Sequence, residues 1–225
     1  MAKARRERSI PRISTAVINR LPRYYRYLGQ LLEKEVKKTS SKELSEIMNI
    51  TASQIRQDLN NFGCFGQQGY GYDVSSLYNE IKHILGIDEE QTFVVIGGGN
   101  LGKALVNHRN FKNHGFKVAA VFEVDPELIG GTMGDVSVYN ITELPGFLEE
   151  NRVDIGVIAV PGTSAQNIVD TLVKHKVKGI WNFSNVDLEM KDSKIPVENA
   201  HLYDSLMVLS YNVNEGVSSK TNISG

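Results

Sequence analysis

The sequence predicts an α/β protein: an N-terminal winged helix-turn-helix unit, a C-terminal Rossmann unit with a parallel sheet, and a terminal dimerisation helix. Three observations carry this. The apolar run Thr92-Phe93-Val94-Val95-Ile96 stops in Gly97-Gly98-Gly99-Asn100-Leu101-Gly102, and a helix-like segment follows. Two short stretches with helix-capping patterns, at Ser40 and Thr51, precede a ribbon that alternates glycine with aromatic and amide residues. The last patterned stretch, 199–213, is apolar beyond what one small domain would cover.

The chain has 225 residues and a 41% hydrophobic fraction, enough for two small cores. Its net charge of −1 hides an asymmetry. Residues 1–85 carry 14 Lys/Arg against 8 Asp/Glu, and residues 86–225 carry 11 against 18. A basic module for a polyanion beside an acidic module fits this division. The single cysteine, Cys64, excludes an internal disulfide and fits a cytoplasmic protein. No apolar run approaches the ~20 residues of a membrane span. No metal-ligand cluster is visible, so no metal is expected.

Lys3, Arg5, Arg6, Arg8 and Arg12 form a basic arm that either touches phosphate or simply solubilises a terminus. From Ser14, positions Val17, Leu21, Tyr24, Tyr25, Leu28, Leu31, Leu32 and Val36 recur at helical spacing, with Pro22 inside the run. Ser40-Ser41-Lys42-Glu43 is a capping-box pattern, and Leu44, Ile47 and Met48 form its stripe. Thr51-Ala52-Ser53-Gln54 repeats the pattern, and Ile55, Leu59 and Phe62 are its buried face. The opposite face carries Ser53, Gln54, Arg56, Gln57 and Asn60, types that bond base edges in a major groove. The ribbon 62–72 then reads as a wing with Gln67 and Gln68 at its tip. Lys42 and Tyr70 complete the expected double-stranded DNA contacts. A helix at 75–85 closes at Gly86, and the unit boundary falls within 86–91, giving units 1–86 and 87–200.

In the second unit the pattern predicts strand 92–97, helix 101–110, strand 117–123, a short strand near 136–139, and helix 142–150. Strand 154–160, helix 164–176 and strand 179–183 follow. Such alternation implies a parallel sheet with ligand at the carboxyl ends of its strands. In the glycine frame Gly97 turns, Gly99 admits the pyrophosphate, and Gly102 lets helix pack on strand. Glu123, 21 residues after Gly102, ends the second strand where an acid binds both ribose hydroxyls, favouring NADH or NAD+ over their 2′-phosphorylated forms. Gly97, Gly98, Gly99, Asn100, Leu101, Gly102, Glu123, Asp125, Val160, Pro161, Asn182 and Phe183 are the candidate nucleotide contacts. The last helix is expected to start at Asn199 and run to Val213, with Leu202, Leu206, Leu209 and Val213 on one face, and 201–214 forms the C-terminal dimerisation unit. Residues 215–225, rich in Ser, Asn and Gly, are expected to be disordered.

This order of parts resembles the Rex family of redox-sensing transcriptional repressors over about residues 14–213. The carrying motifs are Arg20-Leu21-Pro22-Arg23-Tyr24-Tyr25-Arg26-Tyr27-Leu28, Gln54-Ile55-Arg56-Gln57-Asp58, and the wing from Phe62-Gly63 to Gly69-Tyr70-Gly71-Tyr72. Gly97 to Gly102, Glu123-Val124-Asp125-Pro126, Val160-Pro161 and Gly179-Ile180-Trp181-Asn182-Phe183 complete them. The resemblance implies a homodimer that binds a palindromic operator, loses DNA affinity on binding NADH, and exchanges C-terminal helices between subunits. This chain departs from the family at Gln57 and Gln68, where many members are basic. His108 and His201, with Asp204 nearby, stand where some members place a tyrosine and an aspartate that pair with an arginine matching Arg26.

Two other readings use the same glycine frame. A NAD-dependent oxidoreductase needs a substrate domain and an acid or base near the nicotinamide. Only some forty residues follow the last Rossmann strand, and the basic arm and helix-turn-helix would go unexplained. A regulator that binds coenzyme A or another nucleotide would leave Glu123 without a role.

Overall fold

The structure is a computed structural model that describes residues 13–62, 66, 67, 71–108, 110–190 and 193–216. The chain divides between Asp88 and Glu89 into two compact units.

The first unit contains α1 (Thr15–Glu33), β1 (Lys38–Thr39), α2 (Ser41–Met48), α3 (Ala52–Asn60), β2 (Gly66–Gln67), β3 (Gly71–Asp73) and α4 (Val74–Ile84). Side-chain oxygens start all four helices. Ser14 accepts from Val17 N, Ser40 from Glu43 N, Thr51 from Gln54 N and Asp73 from Ser76 N. At Ser40 the Glu43 carboxylate also accepts from the cap's own N–H, closing a full capping box. Asn49, left-handed at φ 53°, ends α2 and sets up the turn into α3. Pro22 lies inside α1 without ending it. The expected stripes converge: Leu21, Tyr24 and Leu28 of α1 pack with Leu44, Met48, Ile55, Leu59, Leu77 and Ile81. β1, β3 and β2 form an antiparallel ribbon with β3 central. Its tip, with Gln68 and Tyr70, lies outside the described residues, as do Cys64 and the arm 1–12.

The second unit runs β4 (Gln91–Ile96), α5 (Asn100–Val106), α6 (Asn110–Asn113), β5 (Phe116–Glu123), β6 (Thr132–Met133) and β7 (Val136–Asn140). A 3-10 turn (Ile141–Glu143) leads to α7 (Leu144–Glu150), β8 (Ile155–Ile158), α8 (Gly162–Lys174), β9 (Gly179–Asn182), β10 (Val197–Asn199) and α9 (Leu202–Asn214). The sheet order is β10-β9-β8-β4-β5-β7-β6, parallel except for β6 at one edge. Without β6 this is the Rossmann order, whose direction reverses between β4 and β8. Alternation along β4 builds both cores. Val94 and Ile96 face a cluster with Phe122, Ile158, Leu144 and Leu172. Phe93 and Val95 face another with Leu105, Val121, Met133 and Val157.

Three expectations need correction. The helix expected over 101–110 stops at Val106, where Asn107 caps it and its Nδ2 donates to Lys103 O at 2.8 Å. Asn199, expected at a helix start, is strand: 197–199 pairs with 180–182, an edge pairing that only the assembled sheet supplies. Glu215 and Gly216, expected in the disordered tail, close α9, with Gly216 at φ 63°; residues 217–225 lie outside the described residues.

α9 buries none of its residues. Leu202, Tyr203, Leu206, Met207, Val208, Leu209, Tyr211 and Val213 are each at least 56% exposed, so the described residues of the chain leave its apolar surface uncovered.

Candidate nucleotide cleft and DNA-recognition face

The carboxyl ends of β4, β5, β8 and β9 bring most of the predicted nucleotide contacts together. Each glycine of the frame has a distinct physical reason. Gly97 adopts φ 106°, and a Cβ there would lie 2.6 Å from Ala159 O and 3.0 Å from Val160 Cγ1. A Cβ on Gly102 would collide with the Gly97 carbonyl oxygen, so helix α5 rests directly on the turn. A Cβ on Gly99 would meet nothing within 4 Å. The fold therefore does not itself require glycine there, and the open space lies where the glycine frame would admit a pyrophosphate. No side chain caps α5 at Gly99, which leaves the first helical N–H groups to a phosphate. Asn100 is exposed at the helix start, and Leu101 is half-buried against the apolar cluster under the turn.

Glu123 is held as an orienting clamp. Its Oε2 accepts from Gly98 N, while Oε1 accepts from Val124 N at 2.6 Å and Asp125 N at 3.2 Å. A carboxylate has about four acceptor positions. The three bonds leave one on Oε2, on the oxygen nearest the glycine turn, able to take a ribose hydroxyl. Asp125 contributes through its backbone and is itself exposed, with its carboxylate accepting from Glu127 N at 3.0 Å. Sequence reasoning missed Met133. Its Cε would lie 2.6 Å from a Cβ on Gly98, so its thioether supports the turn from the β6–β7 hairpin. A lone Met before a Gly-Asp turn carries no sequence signal for that.

Val160 is half-buried, Pro161 is exposed ahead of α8, and Phe183 is half-buried with its ring 4.5 Å from Trp181. They make the β8–β9 side of the cleft apolar. Asn182 differs from expectation. It is fully buried, and its amide is satisfied by Val186 O, Asn199 Oδ1 and Ser184. It positions the cleft wall and does not present its side chain to a ligand.

On the first unit, Lys42, Ser53, Arg56, Gln57 and Asn60 are exposed on α2 and α3. Arg56 Nη1 donates to Ser41 Oγ at 3.1 Å, which extends the guanidinium across from α3 to α2. Gln67 lies in β2, and its side chain is outside the described residues. Gln54 departs from expectation: it is half-buried and its Nε2 donates to Asp58 Oδ1 at 2.8 Å, inside the helix contact. The cause is Asp58, which sequence reasoning passed over. Asp58 is fully buried and accepts from Arg20 Nε and Nη2 at 2.7 and 2.8 Å, Tyr24 Oη at 2.9 Å and Gln54. Burial pushes its carboxyl up, but the bonds from Arg20, Gln54 and Tyr24 hold it below the usual carboxylate range. A signal existed: position 58 falls on the stripe of Ile55, Leu59 and Phe62, and a charge there needs a buried partner. Arg20 and Tyr24, four apart on α1, supply it.

Residues 88–186 match the family described as CoA binding domain, and residues 12–60 match that described as putative DNA-binding protein N-terminus. The chain is 52% identical over 202 residues to the redox-sensing transcriptional repressor Rex of Clostridium novyi (strain NT), covering 90% of this chain and 96% of that protein. Among solved structures it resembles RSP, a Rex-family repressor, in complex with β-NAD+ and operator DNA. The TM-score is 0.86 and the identity 48%, over 92% of this chain and 94% of that one. RSP in complex with β-NADH gives 0.82 and 46%, over 92% and 96%. With a winged helix, a Rossmann unit clamped by Glu123, and these relatives along nearly its whole length, the chain belongs to the Rex family of redox-sensing transcriptional repressors.

Proposed function

We infer that this protein is an NADH-responsive transcriptional repressor, a regulator rather than an enzyme, which binds operator DNA and releases it when NADH binds. The observation that carries the reading is one chain joining a glycine-turn cleft oriented by Glu123 to a winged helix with Ser53, Arg56, Gln57 and Asn60 on its open face. The relatives add the ligands: RSP was crystallised with NAD+ and operator DNA and with NADH. In this assignment residues 1–86 bind DNA, 87–200 bind NAD(H), and 201–214 pair two subunits. The uncovered face of α9 supports the last role, since leaving eight large apolar side chains in water is unfavourable. Exchange of this helix between subunits is what the resemblance to the family implies, and the exposed face is compatible with it. A palindromic operator matches a two-fold dimer. DNA as its target fits a cytoplasmic site of action, and no described helix is long and apolar enough to cross a membrane.

The oxidised nicotinamide ring carries a positive charge and the reduced ring does not. The apolar wall of Val160, Pro161 and Phe183 penalises the oxidised ring through desolvation. NADH then favours a dimer whose recognition helices no longer match successive major grooves, roughly 34 Å apart. Unequal affinity for the two states shifts the population, and operator must weaken NADH binding by the same factor. Fluorescence anisotropy on a labelled palindromic operator tests this: NADH lowers affinity, and NAD+ fails to release DNA and competes with NADH. Equal operator affinity at saturating NADH and without nucleotide would refute it.

A further inference from the structure

The buried polar cluster at the end of β9 links the cleft to α9, and the nucleotide contacts do not account for it. Asn182 uses all of its amide hydrogen-bonding capacity internally. Nδ2 donates to Val186 O at 2.9 Å and to Asn199 Oδ1 at 2.8 Å. Oδ1 accepts from Ser184 N at 3.0 Å and from Ser184 Oγ at 2.6 Å. Its carbonyl accepts from Ala200 N at 2.8 Å, directly before His201, the cap residue of α9.

Both ends of this cluster touch the parts that matter. Phe183, between Asn182 and Ser184, forms cleft wall and donates its N–H to Ile158 O at 2.9 Å. Val186 packs on Gly162, where any Cβ would collide with it, so the turn after β9 also rests on the first residue of α8 beside Pro161. His201 approaches Asp187 at 3.9 Å, giving the same turn a second point of approach to the α9 entry. A displacement of the 183–187 turn therefore moves hydrogen-bond partners of Asn182, beside the start of α9. The Asn182–Ser184 part of this network is buried, fully satisfied and rigid for that reason, while Asn199 joins it from the exposed side, which suits transmission between two ends.

We propose that the Asn182–Asn199 hydrogen bond is the pin through which occupancy of the nicotinamide side of the cleft reorients α9. Asn182 and Asn199 act as positioning residues for the switch. The inference rests on the NADH-responsive reading above. Asn199 is the residue to change, because it is exposed and its loss spares the core. Asn199→Ala removes the acceptor for Asn182 Nδ2, and Asn199→Asp keeps one.

The experiment measures operator affinity with and without saturating NADH, together with NADH affinity, for the full-length protein and both variants. Asn199→Ala is expected to bind NADH and nucleotide-free operator within about threefold of the unmodified protein, while the NADH-induced loss of operator affinity shrinks about tenfold. Asn199→Asp restores that loss. An Asn199→Ala protein that responds to NADH as fully as the unmodified one overturns the proposal. So does a pair of variants that lose NADH binding and coupling alike, since that pattern marks a purely structural role. An unmodified protein with no NADH response would overturn the functional reading itself, and the pin with it.

Discussion

Replacing Arg20 with Met isolates the interaction that sets recognition helix α3 on α1. Among the described residues, the change removes two of the four hydrogen bonds to the Asp58 carboxylate and the only cation among their donors, leaving a fully buried carboxylate with the neutral donors Tyr24 and Gln54. Breaking a buried ion pair from one side costs about 3–5 kcal/mol. The Arg20 side chain is 23% exposed, so water can enter the vacated space and the lower end, about 3 kcal/mol, applies. For a unit of this size about 3 kcal/mol lowers Tm by roughly 12–24 °C. The pH dependence gives a second signature. In the unmodified protein the Asp58 pKa is depressed on folding, so its contribution is complete above its unfolded value of about 3.9 and is lost as pH falls through the folded value. In Arg20→Met burial dominates and the folded pKa rises above the unfolded one. The folded state then takes up the proton first, and the deficit narrows as pH falls from 7 towards 4. Hydrogen exchange over 15–33 and 52–60 reads this unit, while Trp181, the sole tryptophan, reports the other unit as control. A change below about 0.5 kcal/mol at pH 7, or a deficit that does not narrow at lower pH, would refute the buried-pair argument.

Further outcomes are expected at four places: the Glu123 clamp, the glycine frame, the recognition face and α9. Glu123→Gln weakens the clamp on the glycine turn and lowers NADH affinity at least tenfold, since a bond to a charged group is worth about 1.5–3 kcal/mol. Calorimetry should also show the unmodified protein preferring NADH to NADPH, and equal affinities would count against the ribose assignment. Gly99→Ala leaves Tm unchanged, because its Cβ meets open space, yet impairs dinucleotide binding; Gly102→Ala, which collides with Gly97, destabilises the unit. Arg56→Ala costs roughly 1–3 kcal/mol on a specific operator and blurs sequence preference, and unaltered specific binding in a band shift would displace the recognition face. Leu206→Asp with Leu209→Asp places unpaired charge in the proposed subunit seam, so sedimentation should show folded monomers that bind a palindrome poorly; a persistent dimer would return α9 to its own subunit.

The sequence by itself determined what depends on near neighbours along the chain. Ser40 with Glu43 and Thr51 announce their helices because a cap bonds to backbone two or three residues away. The alternation of β4 and the glycine turn with Glu123 are likewise local patterns with fixed spacing, so the Rossmann unit and its cleft were legible before any coordinates. Only the tertiary structure decided features whose partners are distant in sequence. Asp58 draws Gln54 inward because Arg20, 38 residues earlier, places a cation in the core. Asn182 turns from a presumed ligand contact into an internal pin because Asn199, 17 residues later, lies beside it in a parallel strand of three residues. That strand has no period long enough to read, and its pairing comes from the sheet edge it joins. The physical reason is the same in each case: a polar side chain takes its partner from whatever packing brings within about 3 Å, and periodicity along one chain does not encode that.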